Sequence, residues 1–160
     1  MTSDVALRPM RWWDLERVAP LERVLFGATA WTPEAFWSEL AHPDTRTYLV
    51  AESTGRGTAG DLLGYAGVMT NGAESDVQTI AVAPSAQGRG LGGTLLEALV
   101  EHARTSGATS MLLEVRADNV AAIGLYERHG FDRIAVRRRY YQPGDVDAWV
   151  MRLRPLDPLA

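Results

Sequence analysis

The sequence of 160 residues contains neither cysteine nor lysine. The absence of cysteine excludes disulfides, thiolate metal ligands and covalent catalysis through a thiol. The absence of lysine means that all sixteen basic residues are arginines. Any phosphate must therefore be bound by arginine side chains or by backbone N–H groups.

Long apolar runs and an excess of positive charge are also missing. No run approaches the roughly 18 apolar residues of a membrane span, and no charged leader precedes an apolar core, so we expect a soluble cytoplasmic protein without membrane contact. The formal net charge of −4 argues against direct nucleic-acid binding, which favours basic surfaces. His42, His102 and His129 are scattered along the chain, and they predict no metal site.

The composition and the hydrophobic patterning predict one domain over residues 1–160, which we expect to be a monomer. Hydrophobic residues make up 46% of the chain and charged residues 22%, which is enough apolar surface for a single core. Pro20 is expected to kink the first helix or divide it into two. The predicted strands are 5–8, 47–51, 62–69, 76–82, 111–115, 133–141 and 147–153, and the predicted helices are 12–25, 32–40, 91–103 and 120–129. The order of these elements along the chain predicts an α/β (α+β) fold with a mixed sheet and helices on its faces.

A glycine-rich turn at residues 87–93 follows one predicted strand and opens a helix. Such a turn offers backbone N–H groups and the positive end of a helix to a phosphate. Gly88, Gly90 and Gly93 also satisfy the G-x-G-x-x-G spacing of dinucleotide-binding domains. Against that alternative, the preceding strands look hairpin-joined, and Glu114 lies inside a strand instead of at its end. A plain glycine-rich turn is the third interpretation.

Several segments resemble the Gcn5-related N-acetyltransferase (GNAT) superfamily. Residues 87–92 are similar to its Q/R-x-x-G-x-G/A motif, and residues 119–131 are similar to N-x-x-A-x-x-L-Y-x-x-x-G-F. Residues 113–119 resemble the L-E-V-R-x-x-N segment of the RimI family of ribosomal-protein-alanine N-acetyltransferases. Residues 137–141 and 147–151 resemble the R-R-x-Y-Y and D-A-x-x-M patterns of those enzymes. The superfamily resemblance covers nearly the whole chain, and the narrower one covers mainly the C-terminal third.

The resemblance implies a GNAT fold, a mixed and mostly antiparallel sheet of about seven strands with about four helices. It also implies acetyl-CoA as the cosubstrate, without a metal. Glu114 is implied as the general base and Tyr126 as the proton donor, and the acceptor is implied to contact Trp31, Glu114, Tyr140 and Tyr141. The positions implied to bind the cofactor are Ile80, Ala81, Val82, Gln87, Gly88, Arg89, Gly90, Leu91, Gly92, Gly93, Asn119 and Tyr126.

Glu114 and Tyr126 each have a plainer interpretation. A carboxylate within the apolar run 111–115 is costly to bury without a partner, and a salt bridge to an arginine would explain it without catalysis. As a base, Glu114 would deprotonate an attacking α-amine, whose pKa of about 7.7–8.0 leaves it mostly protonated near neutral pH. Tyr126 lies seven residues after Asn119, on the same helix face. Tyr126 can donate a proton to the leaving thiolate, or it can simply be a half-buried aromatic residue.

These features predict an N-acetyltransferase that moves acetyl from acetyl-CoA to a protein N-terminal amine by direct attack. The expected acceptor is the N-terminal alanine of a small-subunit ribosomal protein. Two alternatives stay open: a GNAT enzyme for lysine side chains or a small amine, and a non-catalytic acetyl-CoA sensor. Tyr140 and Tyr141 also fit strand packing, in which alternate side chains face opposite sides. Arginines 137–139 fit either a solvated strand edge or contact with the ribosome or an acidic peptide.

Overall fold

The computed structural model describes residues 4–156, and its elements follow the predicted order. Seven strands form one sheet, and four helices flank it. The strands are β1 (Val5–Pro9), β2 (Arg46–Ser53), β3 (Leu62–Asn71), β4 (Glu74–Val82), β5 (Ser110–Arg116), β6 (Asp132–Tyr141) and β7 (Val146–Leu153). The helices are α1 (Leu15–Phe26), α2 (Pro33–Leu40), α3 (Leu91–Thr105) and α4 (Val120–Arg128), with 3-10 turns at Trp12–Asp14, Gly27–Thr29 and Pro84–Ala86.

The strand order of the sheet is β1-β2-β3-β4-β5-β7-β6. Among these seven strands, β4 and β5 pair in parallel, and the other neighbours pair antiparallel. The predicted mixed, mostly antiparallel sheet and its two hairpins are therefore confirmed. None of the helices within residues 4–156 has the length and apolar character needed to cross a membrane. A single domain over 1–160 stays a prediction.

Both faces of the sheet are covered by hydrophobic clusters. In β3, Tyr65 packs into the cluster under α1 and α2, whereas its neighbour Ala66 packs into the cluster under α3. Val50 and Ala51 divide in the same way on β2. This alternation follows from the two-residue period of a strand, and it makes β2 and β3 the central layer that supports the helices on both faces.

The first helix is continuous, so of the two expected effects of Pro20, a kink or a division, the division is wrong. Pro20 lies inside α1, where it removes one hydrogen bond to the preceding turn. The buried face of α1, which includes Leu15 and Val18, compensates for that loss through packing. The helical pattern was also extended too far toward the N-terminus, since Trp12 belongs to a 3-10 turn and is 57% exposed.

The sheet opens between its two parallel strands. Residues 74–76 of β4 pair with residues 110–112 of β5, and the pairing of these two strands ends there. On the other side of β4, the register with β3 shifts between Gly67 and Val68, which leaves Gln78 as an extra residue. Such a bulge bends and twists the strand that carries it. The C-terminal halves of β4 and β5 therefore border a gap in the sheet.

Asp14 is a buried acid that anchors the N-terminal end of α1 through an ion-pair network with partly exposed partners. Its side chain is 1% exposed and accepts hydrogen bonds from Arg8 at 2.7 Å, from Arg17 at 3.1 Å and from the backbone N–H of Arg11 at 2.7 Å. Glu52 on β2 accepts from the same two arginine side chains. Burial by itself raises the pKa of Asp14, but the hydrogen bonds outweigh it and lower the pKa to about 2.

Replacing Asp14 by asparagine is expected to lower the free energy of unfolding at pH 7 by about 2 kcal/mol. Because the pKa of Asp14 is lower in the folded chain than in the unfolded chain, its stabilisation is present above about pH 4 and is lost as the pH falls toward 2. Urea unfolding of both proteins at pH 7 and at pH 3 measures the difference. A deficit of the same size at both pH values would contradict the assignment.

Candidate functional site

A cavity of about 680 Å³ occupies the gap between β4 and β5. Its walls come from α1, the segment before α2, both parted strands, α4 and the end of β6. The structure brings six of the predicted site residues into this wall, namely Trp31, Ile80, Glu114, Asn119, Tyr126 and Tyr141. Residues from four distant parts of the chain therefore meet at one site.

A second cavity of about 600 Å³ adjoins the first. The two share Trp31, Glu114 and Tyr141 as wall residues, and the second adds Tyr140 and Arg137. Glu114 therefore borders both cavities. An arrangement of this kind suits two reactants that approach one carboxylate from different sides.

The glycine-rich turn presents free backbone groups at the start of α3. Gly88 and Gly90 adopt φ angles of +81° and +79°, a conformation that glycine adopts without strain. No side chain caps the N-terminus of α3, so its first N–H groups are available to an anion. The dinucleotide-binding alternative is wrong, because the strand leading into this turn is antiparallel to β3 and the turn belongs to a mostly antiparallel sheet.

The other residues of the turn hold its shape. A Cβ atom on Gly92 would lie 3.2 Å from Cδ2 of Leu125, and one on Gly93 would lie 3.4 Å from Cε1 of His129, so these glycines let α3 and α4 approach closely. Gln87 Nε2 donates to the Val82 carbonyl at 3.2 Å. A guanidinium N–H of Arg89 donates to the Ser85 carbonyl at 3.1 Å.

The gap-facing edge of β4 carries unpaired backbone N–H groups. Beyond the end of β4, the Ala83 N–H donates to Leu63 on β3 at 2.8 Å. Successive residues of a strand direct their backbone groups to alternate sides, so Val82 and Ile80 direct theirs away from β3 and toward β5. Ile80 and Val82, two of the positions predicted to bind the cofactor, therefore have N–H groups that point into the gap.

The side chain of Glu114 is more exposed to solvent than was expected for a carboxylate within an apolar strand. Its neighbours Leu113 and Val115 are buried, but its own side chain points into the cavities and keeps 31% of its exposure. Arg137 Nε lies 2.7 Å from Glu114 Oε2, so the salt bridge raised as the plainer interpretation is present. The ion pair does not by itself exclude a base, because the carboxylate still borders both cavities.

Tyr126 lies deep in the first cavity and is 9% exposed. Burial, together with nearby Tyr141, raises the pKa of its hydroxyl to about 12. Asn119 shares the wall with Tyr126, as predicted from their common helix face, and its side chain accepts the Ala122 N–H at 3.1 Å as the cap of α4. The neighbouring Asp118 pairs with Arg116 at 3.0 Å.

The two tyrosines of β6 both face the second cavity. Their rings meet edge to face with centroids 5.2 Å apart. Strand alternation would place them on opposite sides, but the register shifts between Arg137 and Tyr141, and Arg139 adopts a φ of +55°. This irregularity turns consecutive side chains to one side, so the expectation of simple alternation is wrong here.

Two acids of the cavity walls, Glu22 and Asp76, were not singled out in the sequence. Glu22 is 2% exposed and lines the first cavity. Asp76 lines the second cavity and is the last residue of β4 that pairs with β5. Burial, with the charges of Glu74 and Glu114, raises the pKa of Asp76. The signal for Glu22 was visible, because it lies on the apolar face of α1 four residues after Val18. Across residues 4–156, no three acidic or histidine side chains are grouped to hold a metal ion.

Comparison with known proteins supplies a family for this site. Residues 10–131 match the family model described as acetyltransferase (GNAT) family. The N-alpha-acetyltransferase RimI of Mycobacterium tuberculosis is 42% identical over 162 aligned residues, covering 98% of this chain and 97% of that protein. The ribosomal protein bS18-alanine N-acetyltransferase of Salmonella typhimurium is 48% identical over 82 residues, covering 50% of this chain and 55% of that protein.

A solved structure with the same fold is the ribosomal-protein-S18-alanine N-acetyltransferase from Escherichia coli. It superposes with a TM-score of 0.82 at 30% sequence identity, covering 98% of this chain and 96% of that one. The structural similarity includes the cavity walls and the C-terminal hairpin, since the superposition covers nearly the whole length of both chains.

Proposed function

Because the chain belongs to the acetyltransferase (GNAT) family, we propose that it acetylates the N-terminal α-amine of a protein, with the alanine of a small-subunit ribosomal protein as acceptor. The reaction class is acetyl-CoA-dependent N-acetyl transfer. The observation that carries the acceptor assignment is the second cavity, whose walls of Trp31, Tyr140 and Tyr141 meet the first cavity at Glu114. Similarity to the RimI and bS18-alanine N-acetyltransferases supports the same assignment.

The residues of the first cavity and the glycine turn fit the cofactor. Acetyl-CoA supplies an acetyl group on a thioester that an amine can attack directly. The free N–H groups at the start of α3 and the positive φ of Gly90 suit its pyrophosphate. The N–H groups of Ile80 and Val82 are proposed to stabilise the negative charge that develops on the carbonyl oxygen during attack.

Glu114 is proposed to prepare the attacking amine. An α-amine with a pKa of about 7.7–8.0 is mostly protonated near neutral pH and cannot attack a carbonyl. Glu114 borders both cavities, so it can accept the proton directly or through one water while the amine reaches the thioester. Asp76 adds a second negative charge to the wall of the acceptor cavity, where it would attract a cationic amine.

The acceptor is tested by turnover of acetyl-CoA on matched peptides. We expect an alanine-starting peptide to be acetylated at its α-amine, with an N-terminally blocked peptide that carries an internal lysine as the control. Other N-terminal residues and simple amines complete the panel, and mass spectrometry locates the added acetyl group. Turnover confined to lysine or to small amines would refute the N-terminal assignment. Cofactor binding without turnover would instead favour a sensor.

Gly90 offers a separate test of the cofactor half of the site. A Cβ atom there meets no protein atom within 4 Å, so Gly90→Ala adds a methyl group only to the space where a phosphate would approach, at a strained φ. We expect the KM for acetyl-CoA to rise about fivefold, with the KM for the peptide unchanged. Gly72→Ala is the matched control, because Gly72 has a φ of +66° and equally open surroundings but lies in the β3–β4 turn. An equal rise in both variants would contradict a role in cofactor binding.

We also propose that the protein acts as a monomer in the cytoplasm and does not bind nucleic acid. β6 is an edge strand whose residues 132–140 are exposed, which fits the solvated-edge interpretation of the arginine run. Arg137 is an exception, because it pairs with Glu114.

A further inference from the structure

Glu22 is a buried carboxylate in the wall of the first cavity. One of its oxygens accepts the Tyr65 hydroxyl at 2.6 Å, and the other accepts the backbone N–H of Trp31 at 3.0 Å. These bonds join α1 to the central strand β3 and to the segment that leads into α2. Glu22 therefore ties together α1, β3 and the segment that contains Trp31, a residue that lines both cavities.

The chemistry of Glu22 is unusual for a residue that serves only the fold. Burial raises the pKa of Glu22 against the lowering effect of its two hydrogen bonds, and no arginine or histidine within residues 4–156 pairs with it. Asp14 is equally buried but has Arg8 and Arg17 as partners. A buried carboxyl group without a cation is costly, and a neutral side chain would fill the same space at lower cost. A cleft residue of this kind is a candidate for a functional role.

The segment held by Glu22 forms one end of the cavity. Phe26, Thr29 and Trp31 all line this first cavity, and Trp31 also lines the second cavity, where the acceptor is proposed to bind. Within the segment, the Ala30 N–H donates to Gly27 and the Thr29 hydroxyl donates to Phe26, and both are local bonds. The bond from Trp31 to Glu22 is the polar contact that fixes the segment to α1, while the Trp31 ring packs against Phe36 at 5.2 Å between centroids.

We propose that Glu22 is a positioning residue for the acceptor, which holds the segment 26–31 at the distance from β5 that the incoming N-terminus requires. This inference rests on the proposed function, because it assumes that Trp31 contacts the acceptor. Glu22 does not touch the reacting atoms. Its effect passes through the Trp31 backbone.

The test compares two substitutions on the same helix. Glu22→Gln keeps the shape and one acceptor oxygen but removes the second acceptor, and Glu16→Gln alters an exposed acid of α1 that makes no ion pair within residues 4–156. We expect Glu22→Gln to raise the KM for the accepted amine about tenfold, with the KM for acetyl-CoA within about twofold of the unsubstituted enzyme. Its Tm should not fall, since a buried charge is removed. Glu16→Gln should change neither the two KM values nor the Tm.

Hydrogen exchange at the Trp31 amide gives a readout that does not depend on the acceptor. The exchange rate of this amide should rise in Glu22→Gln and in Glu22→Ala, because its bonding partner is weakened or removed. Unchanged exchange, or a fall in Tm with both KM values unchanged, would overturn the inference. If the unsubstituted enzyme acetylates only small amines, the proposed function fails, yet the KM of those amines and the exchange at Trp31 still decide the role of Glu22.

Discussion

Replacing Glu114 by glutamine is expected to lower kcat/KM for the acceptor peptide about a hundredfold at pH 7, a reduction typical of the loss of a general base. Glutamine keeps the size of the side chain and its hydrogen-bonding oxygen but cannot take a proton from the amine. Because Glu114 lies away from the glycine turn, the KM for acetyl-CoA should be unchanged. Steady-state kinetics with each substrate varied in turn measure both quantities.

The pH dependence separates a base from a structural carboxylate at position 114. Above about pH 9 most of the α-amine is already unprotonated, so the deficit of Glu114→Gln should shrink there. Arg137→Gln is the discriminating control, since it breaks the same ion pair while leaving the carboxylate in place. If Arg137→Gln loses as much activity as Glu114→Gln, or if the deficit is the same at pH 7 and at high pH, the salt-bridge interpretation holds.

Tyr126→Phe is expected to reduce kcat about thirtyfold, with little change in the affinity for acetyl-CoA. Since the pKa of Tyr126 is raised to about 12 and that of a thiol is about 8.5, complete proton transfer to a thiolate is uphill by about 5 kcal/mol. The hydroxyl would therefore stabilise the leaving thiolate mainly as a hydrogen-bond donor, which is worth about 2 kcal/mol for a charged acceptor. This corresponds to the expected thirtyfold.

Tyr126 is suited to this test because its hydroxyl has no hydrogen-bond partner within residues 4–156 and its ring packs against Phe131 at 5.9 Å between centroids. Phenylalanine keeps that packing, so the fold should be preserved, which thermal unfolding verifies. Direct titration with acetyl-CoA gives the affinity, and single-turnover rates give the chemical step. Equal losses in affinity and in rate would assign Tyr126 to cofactor binding instead.

The ion pair between Arg137 and Glu114 shows that a structural and a catalytic interpretation can both be satisfied at one residue. A charged partner at 2.7 Å pairs with the carboxylate that stands between the buried Leu113 and Val115 of the strand. The same contact places the carboxylate at the junction of two cavities. The presence of the salt bridge therefore does not decide the role of Glu114, and the Arg137→Gln control is needed.

Features that depend on neighbours along the chain could be predicted from the sequence alone. The glycine-rich run at 87–93 predicted a turn, and Gly88 and Gly90 adopt a positive φ there, a conformation that few other residues adopt readily. Helical periodicity placed Asn119 and Tyr126 on one face, and both line the same cavity. Thr32 and Asn119 were identified as helix caps from their side-chain chemistry, and each accepts the expected backbone N–H.

Features that depend on contacts between distant strands could not be predicted in this way. The end of the β4–β5 pairing opens the cavity, the irregularity near Arg139 turns Tyr140 and Tyr141 to one side, and Glu22 meets Tyr65 across the core. Register and burial of this kind result from the packing of the whole sheet, and local propensity does not specify them. The sequence by itself therefore determined the order of the elements, the helix caps and the local shape of the glycine-rich turn. Only the tertiary structure decided where the second cavity lies and which acids line it, because those depend on hydrogen-bond register between segments far apart in the chain.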